Sequence, residues 1–424
     1  MDIVIFWFRR DLRLEDNTAL IEALESGKQV LPLFIFDQQI LNELPWNDAR
    51  VSFIYDELGK IHEELRQLGS SLIVRHGNPE EVWKELIDEY EIQSIYVNED
   101  YEPYAIQRDE KIKQLADSQG IDFLQFKDQV IFGPNEILKP SDHKPYTIYT
   151  PYKNKWLEKF RQSPTNPLPA IKRNHFLKVN EEFPAIEKIG FQKSAIKVRA
   201  YDLSNVGQYQ QSRDFPAQDG TSYLSVHLRF GTISVRQVID QLGESDQVFL
   251  SELIWREFFM QILFHFPEVI NENFKAKYDG IVWRNDEDEF EKWKKGDTGY
   301  PLVDAGMRQL NQTGYMHNRV RMVVASFLCK HLLIDWRWGE AYFAEKLLDY
   351  ELSSNNGNWQ WSAGTGCDAA PYFRIFNPTE QLKKFDPDME YTKKWVTDFL
   401  PPIVDHKFAR QRALEAYKAG INSN

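Results

Sequence analysis

Only two cysteines, Cys329 and Cys367, occur in 424 residues. That excludes a disulfide framework and a cysteine-rich zinc site, and it points to a reducing compartment; no metal is expected. No apolar run reaches the roughly 18 residues that suggest a membrane-crossing helix, so no membrane partner is expected. The chain opens on a strand-like run, Ile3 to Phe8, without a basic leader or a small-residue cleavage site, so a cytoplasmic, nucleoid-accessible protein is expected. No G-x-G-x-x-G follows that run, and no G-x-x-x-x-G-K-[ST] occurs anywhere, which removes the main support for ordinary dinucleotide and P-loop readings. Internal repeats and low-complexity tracts are absent too. Positive charge is in deficit: 51 Lys and Arg against 64 Asp and Glu leave a net charge of −13. Taken over the whole chain this argues against a nucleic-acid partner. A chain average does not describe one face, however. The acids gather at Glu80/Glu81, Glu85–Glu91 and Glu287–Glu291, while arginines and lysines gather near aromatic motifs.

What the chain has in abundance is aromatic residues: 12 Trp, 19 Tyr and 28 Phe, with eight of the tryptophans at or beyond Trp255. The plain explanation is a large helical core. The pattern divides the chain. Over the first ~125 residues, strand-like runs (2–8, 29–35, 71–75, 94–98, 122–125) alternate with amphipathic helical ones (18–26, 50–68, 79–90, 105–118), which predicts a parallel sheet covered by helices. Residues 128–200 are proline-rich and read as an irregular connector. From about residue 201 the spacing is helical, over 235–242, 250–266, 303–312, 318–333 and 340–347, with a short helix and polar tail after Lys407. The expected architecture is a Rossmann-like α/β domain (1–127), a connector (128–200) and an all-helical domain (201–424).

Residues 352–376 are the most informative stretch. Trp359 and Trp361 stand two apart, so on a helix they serve different neighbours. The surrounding Asn, Ser and Gly suit a simple core helix poorly. Bulky rings beside close-approach glycines suggest a pocket for a flat, polar-edged molecule. The motifs Ser251–Phe258, Thr298–Leu310, Tyr315–Met322 and Asn355–Phe376, with Trp7–Asn17 at the start, resemble the photolyase/cryptochrome family along the whole chain. Within it the chain looks most like the class I cyclobutane pyrimidine dimer photolyases, flavin enzymes that use light to split thymine dimers.

That resemblance implies one non-covalent FAD in the helical domain. Thr221, Ser222, Tyr223, Leu224 and Ser225 match its phosphate-holding loop. Hydroxyls and free N–H groups before a helix suit an anion, although they are equally a plain helix cap. Tyr209, Phe249, Arg256, Asn318, Arg321, Asp349, Tyr350 and Glu351 fall on other cofactor positions, and Arg321 with Asp349 resembles an ion pair beside the isoalloxazine. Asn355 matches the residue facing flavin N5, where a neutral amide brings no titratable proton. Trp359, Trp336 and Trp283 match a tryptophan triad that relays an electron to photoexcited oxidised flavin.

By the same resemblance Glu252 hydrogen-bonds the dimer's carbonyl edge, Trp255 and Trp361 pack on it, and Asn318 and Met322 complete the catalytic set with Asn355. A dimer stacks poorly, so extruding it from UV-damaged DNA costs less than extruding normal bases. Arg213, Glu252, Arg256, Phe259, Asn318, Arg319, Arg374, Gln381 and Lys383 fall where such enzymes meet DNA. Arg10, Asp37, Arg50 and Asp100 resemble members holding a flavin-type second chromophore. The Asn-Glu pair of folate-binding members aligns with Tyr104-Ala105, which disfavours methenyltetrahydrofolate; an empty antenna site is the alternative. The implied activity is light-driven dimer repair by electron transfer from photoexcited FADH⁻, by a monomer without an obligate protein partner. The alternative is a blue-light receptor of the same fold, which usually carries a longer C-terminal extension and loses the Glu, Trp and Met set.

Overall fold

Ile3–Phe8 (β1) is apolar at every position, and Val4 to Phe8 are all buried. A strand apolar on both faces belongs inside a parallel sheet, covered on each side. The computed structural model, which describes residues 3–169 and 175–422, places β1 there. Gln29–Asp37 (β2), Ile73–Gly77 (β3), Ile92–Asn98 (β4) and Asp122–Phe126 (β5) complete a five-stranded sheet of order β3-β2-β1-β4-β5, every pair parallel. Thr18–Glu25 (α1), Ala49–Gln67 (α2), Pro79–Glu89 (α3) and Pro103–Ser118 (α4) connect the strands. Their starts are written in the sequence: the Asn17, Asp48 and Asn78 side chains accept from N–H groups of the first turn, and Pro79 and Pro103 occupy first-turn positions where no N–H is needed.

The chain divides into two compact units. The first comprises Met1–Glu136, Leu157–Tyr201 and Leu224–Leu242; the second comprises Ile137–Trp156, Asp202–Tyr223 and Gly243–Asn424. Within the first, Leu224–Phe230 (α6) and Val235–Asp240 (α7) pack with the α/β residues. Arg236 donates to Asp16 and Asp128, while Arg13 donates to Asp128 and the Gly231 carbonyl, all buried.

The stretch expected to be irregular contains a helix, Tyr149–Gln162 (α5). Pro151 falls in its first turn, where it costs nothing, and Tyr149, Tyr152 and Trp156 bury one face. The indole N–H of Trp156 donates to Glu257 at 2.6 Å. In the second unit follow Gln247–His265 (α8), Glu287–Lys295 (α9), Pro301–Thr313 (α10), Asn318–Ser326 (α11), Trp336–Lys346 (α12), Leu352–Ala363 (α13), Pro378–Phe385 (α14), Glu390–Trp395 (α15) and His406–Asn422 (α16). The pattern over 318–333 predicted one helix; the structure has α11 and then a π turn, Phe327–Leu332, stopped by Leu333 in the left-handed region at φ 53°. All six residues of the π turn are buried, including Lys330, whose ammonium donates to the Ala363 carbonyl at 2.6 Å.

Two glycines set the packing around α13. A Cβ on Gly357 would lie 2.1 Å from the Phe259 ring, and one on Gly339 would lie 2.1 Å from the Trp359 ring. Both aromatic rings therefore lie directly on helix backbone, closer than any other residue type permits.

Candidate active site

Glu252 and Trp255 stand three apart on α8, on one face. Glu252 Oε1 accepts from Arg213 at 2.6 Å. Burial raises the Glu252 pKa, and the Arg213 charge works against that rise. The result is a part-buried carboxyl group whose affinity for a proton rises further once Arg213 is drawn away. Lys153 from α5 donates to Ser251 Oγ at 2.7 Å and adds a second positive charge near Glu252. The Trp255 indole lies face to face with the Tyr149 ring, centroids 3.5 Å apart and planes 8° apart. Neither Tyr149 nor Lys153 was marked by any motif. The signal that could have found them is the spacing of Tyr149, Tyr152 and Trp156, which reads as a helix face once the prolines are discounted.

Asn355, on α13, is buried, and its amide N–H₂ donates to the Glu340 carbonyl and to Glu340 Oε1, both at 3.0 Å. That fixes which way the amide points. Its Oδ1 meets no donor among the described residues, so it is an acceptor prepared for a ligand N–H. Glu340 is the residue that sequence reasoning missed, because it reads as an ordinary surface acid of an amphipathic helix. Burial pushes its carboxyl up to about 7, against the hydrogen bond from Asn355.

Arg321 Nη2 reaches both Asp349 oxygens, at 3.0 and 3.2 Å, in the expected ion pair. Tyr209 meets Phe249 edge to face, centroids 5.1 Å apart. Thr221, Ser222 and Tyr223 have no regular structure, with Tyr223 at φ 53°; Leu224 and Ser225 begin α6. The Glu351 carboxylate caps α13, accepting from the Ser353 and Ser354 N–H groups and the Ser353 hydroxyl. An acceptor oxygen held ready at Asn355, a charged pair at Arg321–Asp349 and apolar walls at Phe249 suit a flavin ring with its polar edge.

Trp359 and Trp336 are buried, and Trp283 is partly exposed. Trp336 donates from its indole N–H to Asn273 at 2.9 Å. The Trp359 ring rests on Gly339, one turn along α12 from Trp336. Trp283 meets Tyr417 edge to face, with centroids 5.8 Å apart.

The DNA candidates differ in surroundings. Arg319 is held by Asp214 at 2.6 Å and touches Met322 Sδ at 3.7 Å; Asn318 beside it is exposed. Lys383 pairs with Glu380 at 2.8 Å, whereas Arg374 is exposed and has no carboxylate partner among the described residues. Gln381 and Trp361 are partly exposed, as is Arg256 one turn from Glu252. Phe259 departs from the expectation: its ring is buried against Gly357, so it packs α8 on α13 and offers DNA no face.

In the first unit, β1 and β4 are neighbours, and the strand order reverses between them, which is where open α/β sheets bind ligands. Arg10, just past β1, meets Asp100 at 3.1 Å and Glu102 at 2.9 Å just past β4. Burial alone would raise the Asp100 pKa, but Arg10, Arg229, Arg9 and Arg108 together hold it well below the usual carboxylate range. Asp37, at the end of β2, accepts from the Tyr104 hydroxyl at 2.5 Å. Arg50 pairs with Asp48 at 2.6 Å.

Residues 249–400 match the family model described as the FAD binding domain of DNA photolyase, and residues 4–172 match that described as DNA photolyase. A deoxyribodipyrimidine photo-lyase of Halobacterium salinarum is 38% identical, the alignment covering 95% of this chain and 89% of the relative. The crystal structure of a bacterial class III photolyase from Agrobacterium tumefaciens superposes with a TM-score of 0.86 at 34% identity, covering 100% of this chain and 98% of that one. An archaeal photolyase structure from Sulfolobus tokodaii, described as containing two FAD molecules, does so with a TM-score of 0.85 at 37% identity, covering 99% and 100%. With its parallel sheet, its helical FAD-binding domain and relatives matched over nearly their full length, this chain belongs to the photolyase/cryptochrome family.

Proposed function

We propose that the protein repairs cyclobutane pyrimidine dimers in DNA under light, as a deoxyribodipyrimidine photo-lyase. The observation that carries this reading is the pairing of a part-buried carboxyl group with a partly exposed indole on one face of α8, Glu252 beside Trp255. When bound, reduced FAD supplies the light-energised electron. Asn355 would accept from the flavin edge with its Oδ1, and Arg321 with Asp349 would hold the ring. Trp255 and Trp361 take the extruded pyrimidines by stacking, which every base permits. Glu252 then trades its Arg213 contact for the dimer's carbonyl edge, takes up a proton from water as the arginine leaves, and donates it in that hydrogen bond. Arg213, released, turns to a phosphate. Trp359, Trp336 and Trp283 would be the residues that carry an electron between the protein surface and the cofactor site. At the switch point of the sheet, Arg10, Asp37, Arg50 and Asp100 hold a flavin-type antenna; the second FAD of the Sulfolobus protein supports this choice over a folate.

The test is to illuminate the reduced holoprotein with a dimer-containing oligonucleotide and follow the return of thymine absorbance. Absence of any light-dependent rise overturns the reading in favour of a photoreceptor. Glu252→Ala is expected to slow repair about tenfold, the worth of one hydrogen bond to a charged group, while binding of damaged DNA is largely kept. Lost binding with an unchanged yield per bound substrate would overturn that role for Glu252.

A further inference from the structure

Tyr149 opens α5, in a proline-rich stretch that carries no motif. Its ring covers Trp255 at 3.5 Å with planes 8° apart, closer and flatter than the usual offset pair. The residue is tied at both its backbone and its hydroxyl. Its O–H donates to the Ser251 carbonyl at 2.7 Å, and its main-chain N–H donates to Asp368 at 2.9 Å. Ser251 lies one turn before Trp255 on α8, so the ring is tied to the helix whose indole it covers. Tyr149 is buried, whereas Trp255 keeps part of its surface open. A buried ring tied by its hydroxyl, on a backbone tied by its N–H, backs the indole; it is not a stand-in that an incoming base would displace.

We propose that Tyr149 is a positioning residue for the pyrimidine dimer, holding the Trp255 indole in one plane so that only its opposite face meets the extruded bases. This rests on Trp255 being a wall of the lesion pocket. Without Tyr149 the indole would keep only its ring contacts with Phe258 and Phe259 on its own helix, and ordering its plane would then be charged to every binding event. A backed one is already in place. The benefit falls on damaged DNA alone, because undamaged duplex sends no base to this wall. Tyr149 therefore contributes to discrimination between damaged and undamaged DNA.

Affinities of the holoprotein in the dark, for one oligonucleotide with and without a dimer, give the readout as a ratio. Tyr149→Leu removes the flat backing and is expected to lower the ratio about tenfold, the order of one base–aromatic stack, with undamaged-duplex affinity unchanged. Tyr149→Phe keeps the ring, replaces nothing in the stack and is expected to retain the wild-type ratio. A ratio unchanged by Leu overturns the proposal, and so does a ratio lost with Phe, which would assign the effect to the hydroxyl. The Phe variant is close enough in shape to fold whatever becomes of the Leu variant. Trp255→Ala separates the two levels of inference. If it leaves the ratio intact, the lesion-wall reading itself fails; if it lowers the ratio while Tyr149→Leu does not, only the role of Tyr149 fails.

Discussion

Single side chains in this protein are tuned mostly by burial, and Glu340 shows the consequence. Burial lifts its carboxyl from an ordinary 4.5 to about 7, so the folded chain keeps a proton there that the unfolded chain has lost. The contribution to stability is fully present below about pH 4.5 and is lost as pH rises toward 7. Above that, a buried carboxylate remains, with Asn355 as its donor among the described residues. Glu340→Gln keeps an acceptor oxygen for the Asn355 amide and removes the charge. The variant is expected to be more stable than the parent at pH 8, by up to about 3 kcal/mol, with the gap closing toward pH 4.5. Thermal melting at a series of pH values measures this; a gap independent of pH would mean that Glu340 does not titrate in this range. The same mechanism acts on His317, where burial and then the Arg319 and Arg321 charges lower the pKa to about 4. It is neutral at physiological pH and caps α11 by accepting from the Arg319 N–H.

At the scale of elements, the crossing of α8 with α13 depends on Gly357, over which the Phe259 ring lies. Gly357→Ala would push a methyl group into that ring, and overpacking of this kind costs about 1–3 kcal/mol. A lower melting temperature is expected, with part of it recovered by adding Phe259→Leu; no recovery would place the strain elsewhere. The contact also explains why legibility was uneven. The strands of the sheet were readable because both faces are apolar, and the helix starts because Asn, Asp and Pro announce themselves. The π turn at 327–332 was not, because Phe327, Leu328 and Leu332 carry on the apolar spacing of the α-helix before it, and nothing in that spacing marks the wider turn or the left-handed Leu333 that ends it. Helix α5 was hidden by prolines that mark a loop unless they fall in a first turn. In the candidate site, Asn355, Glu252 and Trp255 were legible through their motifs. Glu340 and Tyr149 were not, because their importance comes from partners 15 and 106 residues away in the chain.

On the scale of the whole molecule, a net charge of −13 has to be reconciled with binding a polyanion. The arginines and lysines assigned to DNA are not equivalent in this respect. Arg213 is neutralised by Glu252, Arg319 by Asp214 and Lys383 by Glu380. Each must leave a carboxylate to meet a phosphate, and the abandoned carboxylate then repels the strand. Arg374 has no such partner among the described residues and is exposed. It meets a phosphate with its full charge and no carboxylate to leave behind. The dependence of affinity on salt reports the number of phosphates neutralised, with a slope of about 0.9 per contact in a log–log plot. Arg374→Ala is therefore expected to flatten that slope by close to one contact for damaged and undamaged duplex alike. Arg319→Ala is expected to flatten it by less, since it removes a cation that was already balanced. Titration of both variants between low and physiological salt decides the matter. Equal losses would mean that the Arg319–Asp214 pair opens at no cost when DNA arrives, and that the acidic surface is reorganised on binding. Unequal losses in the expected order would mean that affinity is concentrated on the one unpaired guanidinium of the set, leaving the paired ones to respond to the lesion.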